Sequence, residues 1–130
     1  MTEKAKIIEK ATFDDLIRLK LRREEQREKP IEIPVESLGK TLVFKFPSND
    51  QQLDLIADIQ KLGAGNTYEA YRKFVYDCCP MLHDTKLHEE LGVVDPYDVM
   101  NVLFLPSEVL NIGDEIAAKT ITIREDIKNS

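Results

Sequence analysis

The sequence contains few residues of the kinds that form disulfide frameworks, metal centres or membrane spans. Its 130 residues include only two cysteines, which are adjacent, and two histidines. Neighbouring cysteines do not make a disulfide framework, so a reducing intracellular compartment is expected. No window approaches the roughly 20 apolar residues of a membrane-spanning helix, and the N-terminus lacks the apolar core of a signal peptide. These absences predict a soluble intracellular protein without a membrane partner.

The sequence also lacks an excess of basic residues. The formal net charge is −6, and a phosphate backbone requires a basic face, so nucleic acid is not expected as a partner. The charge is uneven, because residues 1–30 carry a net +2 and residues 31–130 a net −8. RNA binding through the basic residues of 18–29 is an alternative. The glutamates interleaved with them favour a salt-bridged helix in solvent.

Catalytic motifs are missing as well. The chain has no G-x-x-x-x-G-K-[ST] phosphate loop, no G-x-S-x-G nucleophile turn and no H-E-x-x-H zinc helix. Its acidic residues are placed at helix starts and on polar faces, which gives no specific support to a catalytic pair of carboxylates. We therefore predict no catalytic residue and no cofactor.

The segment CCPMLH at 78–83 is the one place where reactive residue types gather. It holds Cys78, Cys79 and His83, and His88 follows. Adjacent cysteines on a helix point about 100° apart, and the histidine spacing of five does not place both rings on one face. A Cys/His metal site, a redox pair and a Cys/His nucleophile thus remain weaker alternatives. We favour a structural corner, in which Cys78 completes an apolar helical face and Pro80 ends the helix.

Hydrophobic periodicity predicts a mainly α fold with a small β component. Apolar residues alternate with polar ones on both sides of SLGK, which indicates one β-hairpin near residues 31–46. The rest of the chain predicts five to six short helices in a single domain over residues 1–130, after a flexible lead-in at 1–10. Helix starts are predicted at Thr12, Ser48, Thr67, Asp84, Asp95 and Pro106. The short helix that starts at Asp84 is predicted to end at Gly92.

Apolar stripes predict which helix faces pack. Residues Phe13, Leu16, Ile17 and Leu21 recur at helical spacing, so the first helix is expected to pack by its first half and to project its polar second half into solvent. Later stripes are expected at Leu55, Ile56, Ile59 and Leu62, at Tyr71, Phe74, Val75 and Cys78, and at Val109, Ile112 and Ile116. The turn after Pro80 is expected to dock through Met81 and Leu82.

The second half of the chain carries an arrangement that resembles a known family. A proline-led turn at Pro80 is followed by Leu87 to Gly92-Val93, then by a helix from Pro96 to Val99. Next come the apolar stretch Val102-Leu103-Phe104-Leu105 and the helix start Pro106-Ser107-Glu108-Val109. In these elements, and in its outline of an early helix, a hairpin and an acidic helix, the chain is similar to the XkdN-like tail assembly chaperones of PBSX-type phages and prophages.

The resemblance implies a non-catalytic function in building a phage tail. Chaperones of this family are thought to bind the long tape-measure protein, to keep it soluble and to help the major tail protein polymerise around it. They act in the cytoplasm of the bacterial host and are absent from the mature virion. Self-association and a small helical regulatory or anti-host protein of phage origin are left open. We expect partner contacts on exposed faces of the first and last helices, at Phe13, Ile17, Leu21, Leu105, Val109 and Ile112.

Overall fold

The computed structural model describes residues 9–62 and 67–120. Within them the chain forms six α-helices and a two-stranded sheet. In chain order these are α1 (Phe13–Glu28), β1 (Ile31–Val35), β2 (Lys40–Phe44), α2 (Asn49–Leu62), α3 (Thr67–Cys78), a 3-10 turn (Pro80–His83), α4 (Thr85–Leu91), α5 (Asp98–Leu103) and α6 (Pro106–Thr120). The predicted fold class is confirmed. Most of the predicted lead-in and the residues at 63–66 and 121–130 lie outside the described residues.

The hairpin buries one of its two faces, as its alternating sequence predicts. The strands are antiparallel, with Ile31 opposite Phe44 and Ile33 opposite Leu42. These four side chains are buried, while the residues between them are exposed. Because successive side chains of a strand point to opposite faces, period-two alternation is sufficient to specify which face packs on the helices.

Side-chain caps define where the first helices begin. At α1, Thr12 Oγ1 accepts the Asp15 N–H at 3.2 Å, and Asp15 Oδ2 accepts the Thr12 N–H at 2.8 Å. Ser48 and Gln51 exchange the same pair of bonds at the start of α2, at 3.1 and 2.9 Å. Such reciprocal bonds satisfy two of the N–H groups that a helix start leaves without a partner.

The predicted ends of α4 are also confirmed. Asp84 Oδ1 accepts the Lys86 N–H at 2.8 Å, and Gly92 closes the helix with φ 68°. This left-handed conformation is the one that glycine adopts without a steric penalty. The start of α5 differs from its prediction. Asp95 Oδ1 caps a preceding turn by accepting the Tyr97 N–H at 3.0 Å, and the helix itself begins at Asp98.

Helix α3 is the centre of the core. It packs on α2 on one side and on α6 on the other, and it buries Phe74, Val75 and Cys78 as predicted. The contact with α6 is close at Gly113, where an added Cβ would lie 2.5 Å from Tyr71 Cδ1. The Tyr71 hydroxyl donates to Asp114 Oδ1 at 2.7 Å and so joins the same two helices.

Three details of the predicted packing are wrong. Ile56 is exposed on α2, although Leu55 is buried and Ile59 is partly buried. In the 3-10 turn Leu82 docks into the core, whereas Met81 faces solvent because the two neighbouring side chains diverge. The largest difference is α1, which has no buried residue. None of the helices within the described ranges combines the length and the apolar character needed to cross a membrane.

Candidate protein-binding surface

The two cysteines lie at the end of α3, where the hairpin meets the 3-10 turn. Both side chains are buried. The Lys45 N–H donates to the Cys78 carbonyl at 2.7 Å, and Cys79 Sγ donates to the Val43 carbonyl at 3.7 Å. Cys78 therefore links the end of α3 to the end of β2 through its backbone carbonyl, and Cys79 makes a similar link through its side chain.

Burial also changes the acidity of these thiols. Removal from water, with the carboxylate of Asp77 nearby, raises the pKa of Cys78 to about 12. Burial raises the pKa of Cys79 too. The thiolate is the form that attacks electrophiles and binds metals, so at neutral pH both groups are held in their unreactive form.

The two histidines bond to backbone carbonyls of the same corner. His83 Nε2 lies 2.7 Å from the Tyr76 carbonyl oxygen, and His88 Nε2 lies 2.7 Å from that of Leu82. A carbonyl oxygen only accepts, so each Nε2 carries a hydrogen and donates it to that carbonyl. The described residues contain no cluster of three His, Cys, Asp or Glu side chains that would hold a metal ion. The two histidine bonds hold the backbone between α3 and α4 in place.

The α1 apolar stripe, which we define as Phe13, Leu16, Ile17 and Leu21, is exposed. The side chains range from 76% exposed at Phe13 to 40% at Ile17. The prediction that this half of the helix packs on its own domain is wrong, because no described element covers it. The prediction that Phe13, Ile17 and Leu21 lie on an exposed face agrees with the structure.

Two basic residues of α1 pair with carboxylates on the same helix. Arg18 bonds to Asp15 at 2.5 Å and Lys20 to Glu24 at 3.1 Å. Exposed pairs at these spacings stabilise a helix only slightly. They do use part of the positive charge that RNA binding through residues 18–29 would require.

The three positions predicted near the last helix separate into two environments. Leu105 is 66% exposed, but Val109 and Ile112 are 0% and 5% exposed. The expectation that these two present an exposed face is wrong, because they lie on the side of α6 that is packed into the core. Helical spacing groups them correctly with Ile116, but it does not say which face is covered.

A second exposed apolar patch contains, besides the predicted Leu105, two residues that were not predicted. Val102 and Leu103, at the end of α5, are exposed together with Leu105, whereas Phe104 between them is buried. The signal for it in the sequence is the four-residue apolar run at 102–105. Such a run has more apolar surface than a short connection between two helices can bury.

Comparisons with known proteins add no relative to this description. No protein-family model, no curated protein and no solved structure matches the chain.

Proposed function

We propose that the chain is a non-catalytic binding protein and, specifically, a phage tail assembly chaperone that binds the tape-measure protein. The observation that supports it best is the exposed α1 apolar stripe on a helix with no buried residue. When the apolar face of an amphipathic helix is not covered by its own domain, that face is suited to pair with an apolar stripe of another helix. The cysteines and histidines form contacts within the fold, which is consistent with a non-catalytic function.

The stripe suits weak and reversible binding. Fully burying one large aliphatic or aromatic side chain contributes roughly 1.5–3 kcal/mol, and much of that gain is offset by the entropy lost on association. A tape-measure protein that waits for its tube to form needs a partner that covers apolar surface and then leaves. In this proposal the chain acts in the host cytoplasm, helps the major tail protein to polymerise and is absent from the finished particle.

The test is co-expression with fragments of the tape-measure protein encoded in the same phage or prophage. The wild-type chain should co-purify with at least one fragment and raise its soluble fraction. A double variant, Ile17→Ser with Leu21→Ser, should lose both effects and keep its fold, because neither side chain is buried. Leu53→Ser with Val94→Ser is the matched control, since both residues are exposed elsewhere.

Two results would contradict the proposal. One is that no fragment co-purifies or gains solubility with the wild-type chain. The other is that the stripe variant and the control variant bind equally well, which would place the contact elsewhere. Mass spectrometry of purified particles tests the remaining part, because a chaperone of this kind should be absent from them.

A further inference from the structure

A groove of about 520 Å³ lies between the C-terminal end of α1, strand β2 and the 3-10 turn. Its apolar part is formed by Val43, Phe44, Phe46, Pro80 and Met81. The lining as a whole comes from three separate segments, 27–30, 43–46 and 80–81, so no local pattern predicts the groove. It is separate from the α1 apolar stripe, which lies on the first half of the helix.

The groove is open along its length. Met81 is 67% exposed and Val43 49% exposed, whereas a pocket for a small molecule normally encloses most of its ligand. Beyond Arg27 and Phe46, which line both, a second groove of about 350 Å³ continues to the start of α2 at Asn49. An open and elongated groove fits a segment of polypeptide better than a compact ligand.

Positive charge flanks the apolar part. Arg27, Lys29 and Lys45 line the groove, against the single carboxylate of Glu28, and Asp50 lies in the continuation. None of the three cations has an ion-pair partner among the described residues. These three cations lie together in a chain whose formal net charge is −6.

We propose that this groove binds an acidic segment of a partner protein. Apolar side chains of the segment would cover Phe46 and Met81, and its carboxylates would pair with Arg27, Lys29 and Lys45. Charge complementarity sets the sign of the partner, and the uncovered apolar floor supplies the contact area. The inference goes beyond the proposed function, because it concerns a second surface and does not depend on the tape-measure protein as its ligand.

The experiment is a selection from a surface-displayed library of short random peptides with the purified wild-type chain. Enriched peptides should combine large apolar residues with an excess of Asp and Glu. Their binding, measured by fluorescence anisotropy, should weaken about tenfold or more in Lys45→Glu and in Met81→Asp. It should also weaken between about 50 and 300 mM NaCl, since exposed charges are screened. Both side chains are exposed, so both variants should fold.

Lys86→Glu is the matched charge control, because it lies on α4 outside the groove and is exposed. It should leave peptide binding unchanged, as should the α1 stripe variant. The proposal is overturned if no peptide is enriched, if the enriched peptides are not acidic, or if the groove variants bind them as tightly as the wild-type chain.

Two further measurements address the other occupants. Dimerisation in light scattering that Met81→Asp abolishes would assign the groove to a second copy of the chain and overturn the proposal. Binding of oleate in native mass spectrometry that the same variant abolishes would assign it to a lipid chain, with the same consequence. If the peptide experiment fails, the proposed binding of the tape-measure protein is not affected. That binding is tested separately, by co-purification of tape-measure fragments with the α1 variants.

Discussion

Helices α1 and α6 have nearly the same length, 16 and 15 residues, and each carries an apolar stripe. They have opposite environments. Val109, Ile112 and Ile116 of α6 are buried against α3, whereas α1 has no buried residue. Helical periodicity therefore predicts which side chains share a face. It does not predict whether that face is covered by the same chain.

The difference has a physical basis in the length and shape of the two stripes. The apolar face of α6 extends from Val109 to Thr120, and Gly113 in its middle lets α3 approach closely. The stripe of α1 ends at Leu21, and the polar half that follows has nothing to gain from burial. Among the described residues no element buries the stripe of α1, so it stays exposed.

The largest expected effect comes from truncating one equivalent side chain in each helix. Ile116→Ala should lower the free energy of unfolding by about 2–5 kcal/mol, because it leaves a cavity in the core. Ile17→Ala should change it by less than about 0.5 kcal/mol, as at other surface positions. Urea unfolding followed by circular dichroism measures both, and a similar loss for the two variants would show that α1 is packed.

The close approach at Gly113 gives the next largest effect. Gly113→Ala should destabilise the protein by about 1–3 kcal/mol, since the new methyl group overlaps the Tyr71 ring. This loss is opposite in sign to the gain of about 1 kcal/mol that alanine normally brings to a helix. A double-mutant cycle with Tyr71→Leu should recover part of the loss. A stabilised Gly113→Ala variant would mean that α3 and α6 are further apart.

The buried cysteine predicts a loss of stability in alkaline solution. The unfolded Cys78 thiol ionises near its ordinary pKa of 9.0, whereas the pKa of the folded residue is about 12. Between these values the folded state binds more protons, so stability decreases as pH rises, by up to about 1.4 kcal/mol per pH unit. Urea titrations at several pH values should show a shallower slope for Cys78→Ala. An unchanged slope would mean that the thiol is accessible to water.

The smallest effect compares the two capping boxes. Thr12→Ala and Ser48→Ala each remove a cap worth about 1 kcal/mol to its helix. The loss at α2 should lower global stability, because α2 packs on α3. The loss at α1 should appear only as faster amide exchange along α1, since its unfolding uncovers no core. Equal losses of global stability would mean that α1 unfolds together with the core.

Local features could be predicted well from the sequence. Examples are the helix starts at Thr12 and Ser48, the Gly92 helix end and the burial of alternate residues in the hairpin, which all depend on residues close together in the chain. So does the conclusion that Pro80 ends α3 and begins a turn.

Features that depend on contacts distant in sequence could not be predicted. Val109 was expected on a partner-binding face, and its burial depends on where α3 lies. The stripe of α1 is expected to pack, yet no element of the described residues buries it. The groove beside Met81 needs three segments brought together by the fold. A single sequence shows which residues form each stripe, but it does not show which stripes pack against each other.

The most direct test of binding through the α1 apolar stripe is amide hydrogen exchange along α1 and α6. It is measured with and without a soluble tape-measure fragment. In the free chain, exchange should be rapid in α1 and slow in α6, because α6 is buried against the core and α1 has no buried residue. On addition of the fragment, protection should rise along α1 around Phe13, Ile17 and Leu21 and stay the same in α6. Slow exchange of α1 in the free chain, or no change when the fragment is added, would contradict it.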